Sequence, residues 1–249
     1  MSRRVVESDV CIVGSGISAA MVAEQLAETR RCSVVVVEAG SESDPLPART
    51  ALRRRYLDYG ESPWRNDHLD GLEVAGMQSR SMQVGGLAMH WGGVTPRYSP
   101  EDFRLRSVYG IHEDWPISYQ ELDPFYQEAE VRLGVSGEQG PADLDARSKP
   151  YPLPPLPLTY NLGLLQEWAR GAGIRMWSQP SAKNSTPYHG RPACCRNDTC
   201  FPVCPVGAKY SPDMTWNALR RDRLVDLVPN TVVRRLEATA GGNRIERAV

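Results

Sequence analysis

Net charge is nearly absent from this sequence of 249 residues: 29 Lys and Arg stand against 30 Asp and Glu. That balance gives no broad positive field for nucleic acid or an acidic membrane surface, so no nucleic-acid partner is expected. Long apolar runs are also missing. None approaches the roughly 18 residues of a membrane span, and no direct span is expected. The first residues, Met1 to Asp9, lead into a short strand-like run with no small-residue cleavage site after it, and do not read as a signal peptide. There is no internal repeat, and no low-complexity tract beyond a proline-rich stretch. What remains is 41% hydrophobic and 24% charged, the balance of a globular chain with a core, long enough for one large domain or two modest ones.

Two residue types are unevenly placed. Of 20 prolines, 12 fall between Pro141 and Pro212. Of six cysteines, four fall within eleven residues, Cys194, Cys195, Cys200 and Cys204. Such crowding is unlike a disulfide framework spread over a secreted domain and points to a local metal or redox site.

The chain opens with a strand over 9–13 that is apolar on both faces, as in a buried parallel sheet. A helical pattern to about Thr29 follows, with Ala20, Ala23 and Ala27 on one face. A second buried strand, Ser33 to Val37, completes a right-handed βαβ unit. Residues 41–81 are polar and irregular. Further on, a helix is expected from Pro124 to Gly134 with Asp123 as N-cap. A proline-rich arm covers 136–160, and Asn161 caps a helix carrying Leu162, Leu165 and Trp168. Another helix runs from about Pro212 to Arg221, then strands at 224–228 and 231–238, a turn at Gly241-Gly242 and a returning strand near Val249. The expected segments are 1–135, the cofactor region; 136–192, the arm and helix; 193–210, a cysteine-rich hinge; and 211–249, the start of a return to the first domain.

The βαβ turn carries Gly14-Ser15-Gly16-Ile17-Ser18-Ala19, the dinucleotide fingerprint with Ala in its last position. Gly14 permits the tight turn, Gly16 lets the backbone approach a pyrophosphate, and Ala19 allows close helix–strand packing. Backbone N–H groups at the helix start then face the phosphate charge. Glu38, with Ala39 beside it, lies 22 residues after Gly16 at a strand end, where a carboxylate accepts from ribose hydroxyls. The pattern does not separate FAD from NAD, but the acid disfavours the 2′-phosphate of NADP.

A second glycine segment, Gly85-Gly86 followed by His90-Trp91, lets backbone pass close to a flat or charged group. Taken alone, His90 reads as a satisfied structural histidine. The cysteine run has the spacing Cys194-Cys195-x₄-Cys200-x₃-Cys204-Pro205, with four soft thiolates in reach of one centre. That suits an iron–sulfur cluster or zinc, although the two separated Cys-x₂₋₄-Cys pairs usual for zinc are not present.

The opening βαβ ending in Val37-Glu38-Ala39-Gly40, together with Gly85-Gly86-x-x-x-His90-Trp91, resembles the glucose-methanol-choline (GMC) flavoprotein oxidoreductases. Within them it is similar to the catalytic subunits of bacterial FAD-dependent glucose, fructose and gluconate dehydrogenases. Ser107-Val108-Tyr109-Gly110, Asp114-Trp115-Pro116-Ile117, Pro155-Leu156-Pro157-Leu158 and the stretch from Asn184-Ser185 to Gly207-Ala208 extend the likeness along nearly the whole chain. The resemblance implies an α/β, Rossmann-like FAD-binding fold of the GMC type with the C-terminal substrate sheet largely absent. It implies that Gly85 and Gly86 line the FAD pyrophosphate and that His90 approaches the isoalloxazine, where similar pyranose oxidases attach flavin covalently. Family members usually carry hydroxyl residues after the glycine pair; here Leu87-Ala88 replaces them.

For the cysteines, the resemblance implies a [3Fe-4S] cluster held by three of the four, Cys200 and Cys204 with Cys194 or Cys195. It further implies oxidation of a sugar or sugar-acid CH–OH, with electrons leaving through the cluster to a cytochrome c subunit. A small export-chaperone subunit would carry the export signal. Location would then be periplasmic or membrane-associated through that partner, and cytoplasmic for this chain alone. The family's catalytic histidine belongs to a C-terminal half beyond Val249, so no catalytic residue is named and these residues alone are expected to be inactive. Two other classes stand beside this reading: an NAD-dependent dehydrogenase with a structural zinc lobe, and a non-catalytic FAD and iron–sulfur electron-transfer module. Arg53-Arg54-Arg55 reads as a solvated face, and Trp115, Tyr126 and Trp168 as packing residues. His68, His112 and His189 show no catalytic pattern, while Cys11 and Cys32 read as inert thiols in or beside a buried strand.

Overall fold

The computed structural model describes residues 5–61, 63 and 81–249, so His68 lies outside the described residues. The chain groups into two compact units. The first comprises the described parts of Met1–Gly92 with Asp198–Pro205 and Ser211–Val249; the second comprises Gly93–Asn197 with Val206–Tyr210. Contacts therefore do not follow the linear segments expected from the pattern. Residues 93–135 join the proline-rich arm in the second unit, and the cysteine hinge is divided between the two.

In the first unit, β1 (Val10–Val13), α1 (Ile17–Thr29) and β2 (Val34–Val37) form the expected βαβ. β1 and β2 run parallel, with Val10 opposite Val34 and Val13 opposite Val37. β2 also pairs in parallel with β3 (Asp226–Val228), giving the order β1-β2-β3. The central strand is buried on both faces, but β1 is not. Its outer position in the described sheet leaves Cys11 exposed and Val13 55% exposed, which corrects the expectation of a doubly buried first strand. Alanines at 20, 23 and 27 form the inner face of α1. Their small size lets α6 (Asp213–Arg221) pack close, so that Trp216 and Leu219 join Val34, Val36, Val84 and Leu227 in one core. Residues 41–61 are not irregular throughout, because they contain α2 (Arg49–Tyr59). Burial there selects Arg49, whose guanidinium meets Asp213 at 2.5 Å and Ser211 at 3.2 Å. The returning strand is present as well: β4 (Leu236–Ala238) and β5 (Ile245–Ala248) pair antiparallel.

The second unit contains α3 (Leu105–Tyr109), α4 (Tyr119–Leu133) and α5 (Tyr160–Gly171). α4 starts five residues before the expected Pro124. Ser118 and Glu121 form a reciprocal capping box, and that signal outweighs the proline, which lies inside the helix. Gly134 ends it at a φ of 66°, as expected. For α5 the cap is Thr159, two residues before the expected Asn161, and Trp168 is 70% exposed, so its assignment to packing does not hold. The proline arm is not detached from the core either. Tyr151 and Leu153 are buried, and Leu153 donates its N–H to the carbonyl of Val135 at 3.2 Å.

A buried ion network organises this unit. Arg97 reaches Glu130 at 2.8 Å and Asp123 at 2.5 Å, and Arg147 reaches Glu130 at 3.2 Å and Asp145 at 3.3 Å. Burial raises the Asp123 carboxyl, but bonds from Ser148, Arg97 and Gln127 outweigh it and hold the group below its ordinary value.

Candidate functional site

The site is assembled inside the first unit from three backbone turns. In the first, Gly14 adopts a φ of +92° and Gly16 sits at the N-cap of α1 with no side-chain cap. A Cβ added at Gly14 or at Gly16 would meet nothing within 4 Å, so open space lies over both. The first turn of α1, Ile17, Ser18 and Ala19, contains no acidic residue. Its uncapped N–H groups and the positive end of the helix dipole suit an anion.

The second turn follows β2. Glu38 is 7% exposed; its Oε2 accepts from Ser15 N at 2.9 Å and from Ser15 Oγ at 2.5 Å, and its Oε1 accepts from Gly40 N at 2.7 Å. The carboxylate is thus fixed beside the first glycine turn, with both acceptor positions of Oε2 taken and one left on Oε1. Ala39 is half-buried between Glu38 and Gly40.

The third turn is the second glycine segment. Val84 N donates to Ser41 O at 2.8 Å, laying residues 82–84 along the chain after β2. A Cβ at Gly40 would overlap the backbone of Met82 and Gln83, so only glycine permits that approach. Gly85 and Gly86 have φ values of +96° and +56°, and a Cβ at Gly86 would stand 3.6 Å from Gly16 Cα. The two glycine segments, 70 residues apart in sequence, therefore lie against one another.

His90 is buried and held at both ring nitrogens. Nδ1 lies 2.9 Å from the Pro202 carbonyl, and Nε2 lies 2.7 Å from Gln83 Nε2. A carbonyl only accepts, so Nδ1 carries the proton and Nε2 receives the amide of Gln83. Trp91 is half-buried next to it. Gln83 and Trp216 join the site without having been expected in it, and Gly40, expected only as the end of the βαβ motif, proves to be the point of close approach. Trp216 donates from Nε1 to Ser15 O at 2.7 Å and anchors the glycine turn from behind. A lone tryptophan on the apolar face of a short helix was the signal for it. Nothing comparable marked Gln83.

The cysteines are placed differently from the expectation. All six are free thiols; Cys200 and Cys204 belong to the first unit, Cys194 and Cys195 to the second. Neither unit by itself holds three of the four clustered thiols, and among the described residues no group of three or more His, Cys, Asp or Glu is arranged to hold a metal ion. On α2, Arg54 and Arg55 are solvated as expected, but Arg53 is half-buried and donates to Thr199 Oγ1 at 2.8 Å.

A parallel sheet with a glycine turn, an uncapped helix start and a strand-end acid defines a dinucleotide-binding α/β protein. The comparisons narrow the class. The chain is 34% identical to the fructose dehydrogenase large subunit of Gluconobacter japonicus over 98% of its own length and 49% of that protein's. It is 26% identical to the gluconate 2-dehydrogenase flavoprotein of Pantoea cypripedii, over 95% and 46% respectively. Its fold matches that of pyridoxine 4-oxidase from Mesorbium loti with a TM-score of 0.55 at 19% identity, over 96% of this chain and 45% of the other. No protein-family model matches the chain. The chain belongs to the GMC oxidoreductase family, as its N-terminal portion, and spans about half the length of these curated relatives.

Proposed function

We propose that this chain is the cofactor-holding portion of an FAD-dependent oxidoreductase that oxidises a CH–OH group of a sugar or sugar acid. The carrying observation is the contact of the two glycine turns beside an uncapped helix start, with Glu38 fixed at their edge. FAD is typical of the family, and when bound it supplies a two-electron acceptor for the substrate's hydride. The open space over Gly14 and Gly16 takes the pyrophosphate, with N–H groups of Ile17 and Ser18 facing it. Glu38 accepts from the adenosine ribose, and Gly85 and Gly86 let the backbone approach the same phosphates. His90, neutral and held by Gln83 and Pro202, forms part of the wall on the flavin side. A covalent bond from flavin to His90 would displace one of those two partners, and acid precipitation reads whether flavin stays with the protein.

Fructose and gluconate are substrates in the names of two relatives, and they guide the substrate class proposed here. The first of these relatives is a large subunit, which supports a partner subunit for this chain. A cytochrome c subunit as electron acceptor, and a membrane-associated location through it, rest on the family resemblance alone. No helix among the described residues is long and apolar enough to cross a membrane. We also assign Cys194, Cys195, Cys200 and Cys204 as candidate ligands of a [3Fe-4S] cluster. Support comes from their spacing and the family resemblance alone. Iron and sulfide analysis decides that assignment, with a colourless, iron-free protein overturning it.

The function is tested by purifying the chain with excess FAD. One flavin per chain and a flavin absorption spectrum are expected, and a protein that takes up NAD but no flavin overturns the reading. Dye reduction by fructose, gluconate or glucose is expected to need the rest of the relatives' length, and turnover by these 249 residues alone would contradict that part.

A further inference from the structure

We infer that the Ser15 hydroxyl is a positioning group that sets the adenosine specificity of the site by holding Glu38 and Gly85, and that it is not itself a ligand of the cofactor. The inference rests on the proposed dinucleotide site and assigns one side chain within it.

Ser15 is 1% exposed and connects all three turns. Its hydroxyl donates to Glu38 Oε2 at 2.5 Å and accepts from Gly85 N at 3.1 Å, while its own N–H donates to the same Glu38 oxygen at 2.9 Å. A serine hydroxyl has one proton, and here the carboxylate takes it. Nothing is left for the side chain to donate to a phosphate, so the phosphate donors are the backbone N–H groups of the α1 start. The carbonyl of Ser15 is also occupied, by Trp216 Nε1 at 2.7 Å. Every polar atom of Ser15 thus serves the protein.

Two consequences follow from this one hydroxyl. Glu38 Oε2 receives two donors from residue 15 and Oε1 receives Gly40 N at 2.7 Å, which fixes the carboxylate rotamer before any ligand arrives. A fixed carboxylate acceptor favours a ribose with both hydroxyls free and disfavours a 2′-phosphate. The N–H of Gly85 is satisfied internally, which holds the second glycine turn against the first without help from a bound anion.

The test uses ADP as the probe, with FAD alongside, on the whole chain by calorimetric titration. Ser15→Ala is expected to weaken ADP binding about tenfold, the scale of a lost hydrogen bond to a charged group, and Ser15→Thr to restore most of it. Because Ser15 acts through Glu38, Ser15→Ala in a Glu38→Gln background is expected to cost less than about twofold. Equal ADP affinity in Ser15→Ala and the parent overturns the inference, as do effects of the two substitutions that multiply. A parent chain that binds neither ADP nor FAD brings down the proposed function, and this inference with it. A check that needs no variant is hydrogen exchange at the Gly85 amide. It is expected to be protected before ADP is added and to change little afterwards; rapid exchange in the ligand-free chain overturns the assignment.

Discussion

Two buried carboxylate sites, one in each unit, are held in opposite ways. In the first, Glu38 is surrounded by backbone N–H groups and one hydroxyl, with no arginine or lysine bonded to it among the described residues, at the edge of an open glycine turn. In the second, Glu130, Asp123 and Asp145 are closed off by Arg97 and Arg147, whose side chains are 4% and 0% exposed. A carboxylate saturated by guanidinium groups has nothing to offer a ligand, and removing either partner strands a buried charge. One held by neutral donors keeps a lone pair free and a strong field. The first arrangement suits the proposed ribose contact and the second is a structural clamp, though both are buried acids.

The strongest way to break this contrast is Arg97→Ala. It leaves Glu130 and Asp123 without their main partner and is expected to cost about 3–5 kcal/mol in urea unfolding while leaving ADP affinity per folded chain unchanged. Gly40→Ala comes next. Overlap with the backbone of Met82 and Gln83 is expected to cost about 1–3 kcal/mol and, unlike the first change, to weaken FAD uptake too, because the second glycine turn is displaced.

Glu38→Gln reverses the balance. Unfolding should shift by only about 1 kcal/mol, while ADP binding falls at least about tenfold by calorimetry. Acid sharpens the comparison without mutation. Asp123 is held below its ordinary value in the fold, so its stabilisation is complete above the unfolded-chain value of about 3.9 and is lost as pH falls below that through the lower folded value. Circular dichroism from pH 6 to pH 2 is expected to show loss of α4 signal beginning below about pH 4. The smallest effect is Ser118→Ala, which removes one half of a capping box and is expected to cost about 1 kcal/mol in thermal unfolding, with no change in cofactor binding.

The glycine fingerprint, the flanking strands and Glu38 were legible because each is imposed by local chemistry: φ values open only to glycine, β-branched runs, and an acid at a strand end. The helix start at Ser118 is encoded locally by Ser118-x-x-Glu121, a signal that competes with the one from Pro124 and outweighs it because two backbone donors are satisfied at once. Burial was less accessible. Cys11 sits in an apolar run, and only the position of β1 at the edge of the described sheet exposes it. Trp168 follows a helical apolar spacing and yet faces outward.

By itself, the sequence determined the βαβ unit, the phosphate-facing turn and the acid that accompanies it, because these depend on residues within about 40 positions of each other. The tertiary structure alone decided that Gly86 lies on Gly16, that Ser15 joins Glu38 to Gly85, and that Trp216 secures the turn from 201 residues away. It also divided the four clustered cysteines between two units. Proximity in the chain could not foresee that division, since what groups residues in space is packing and hydrogen bonding rather than sequence distance.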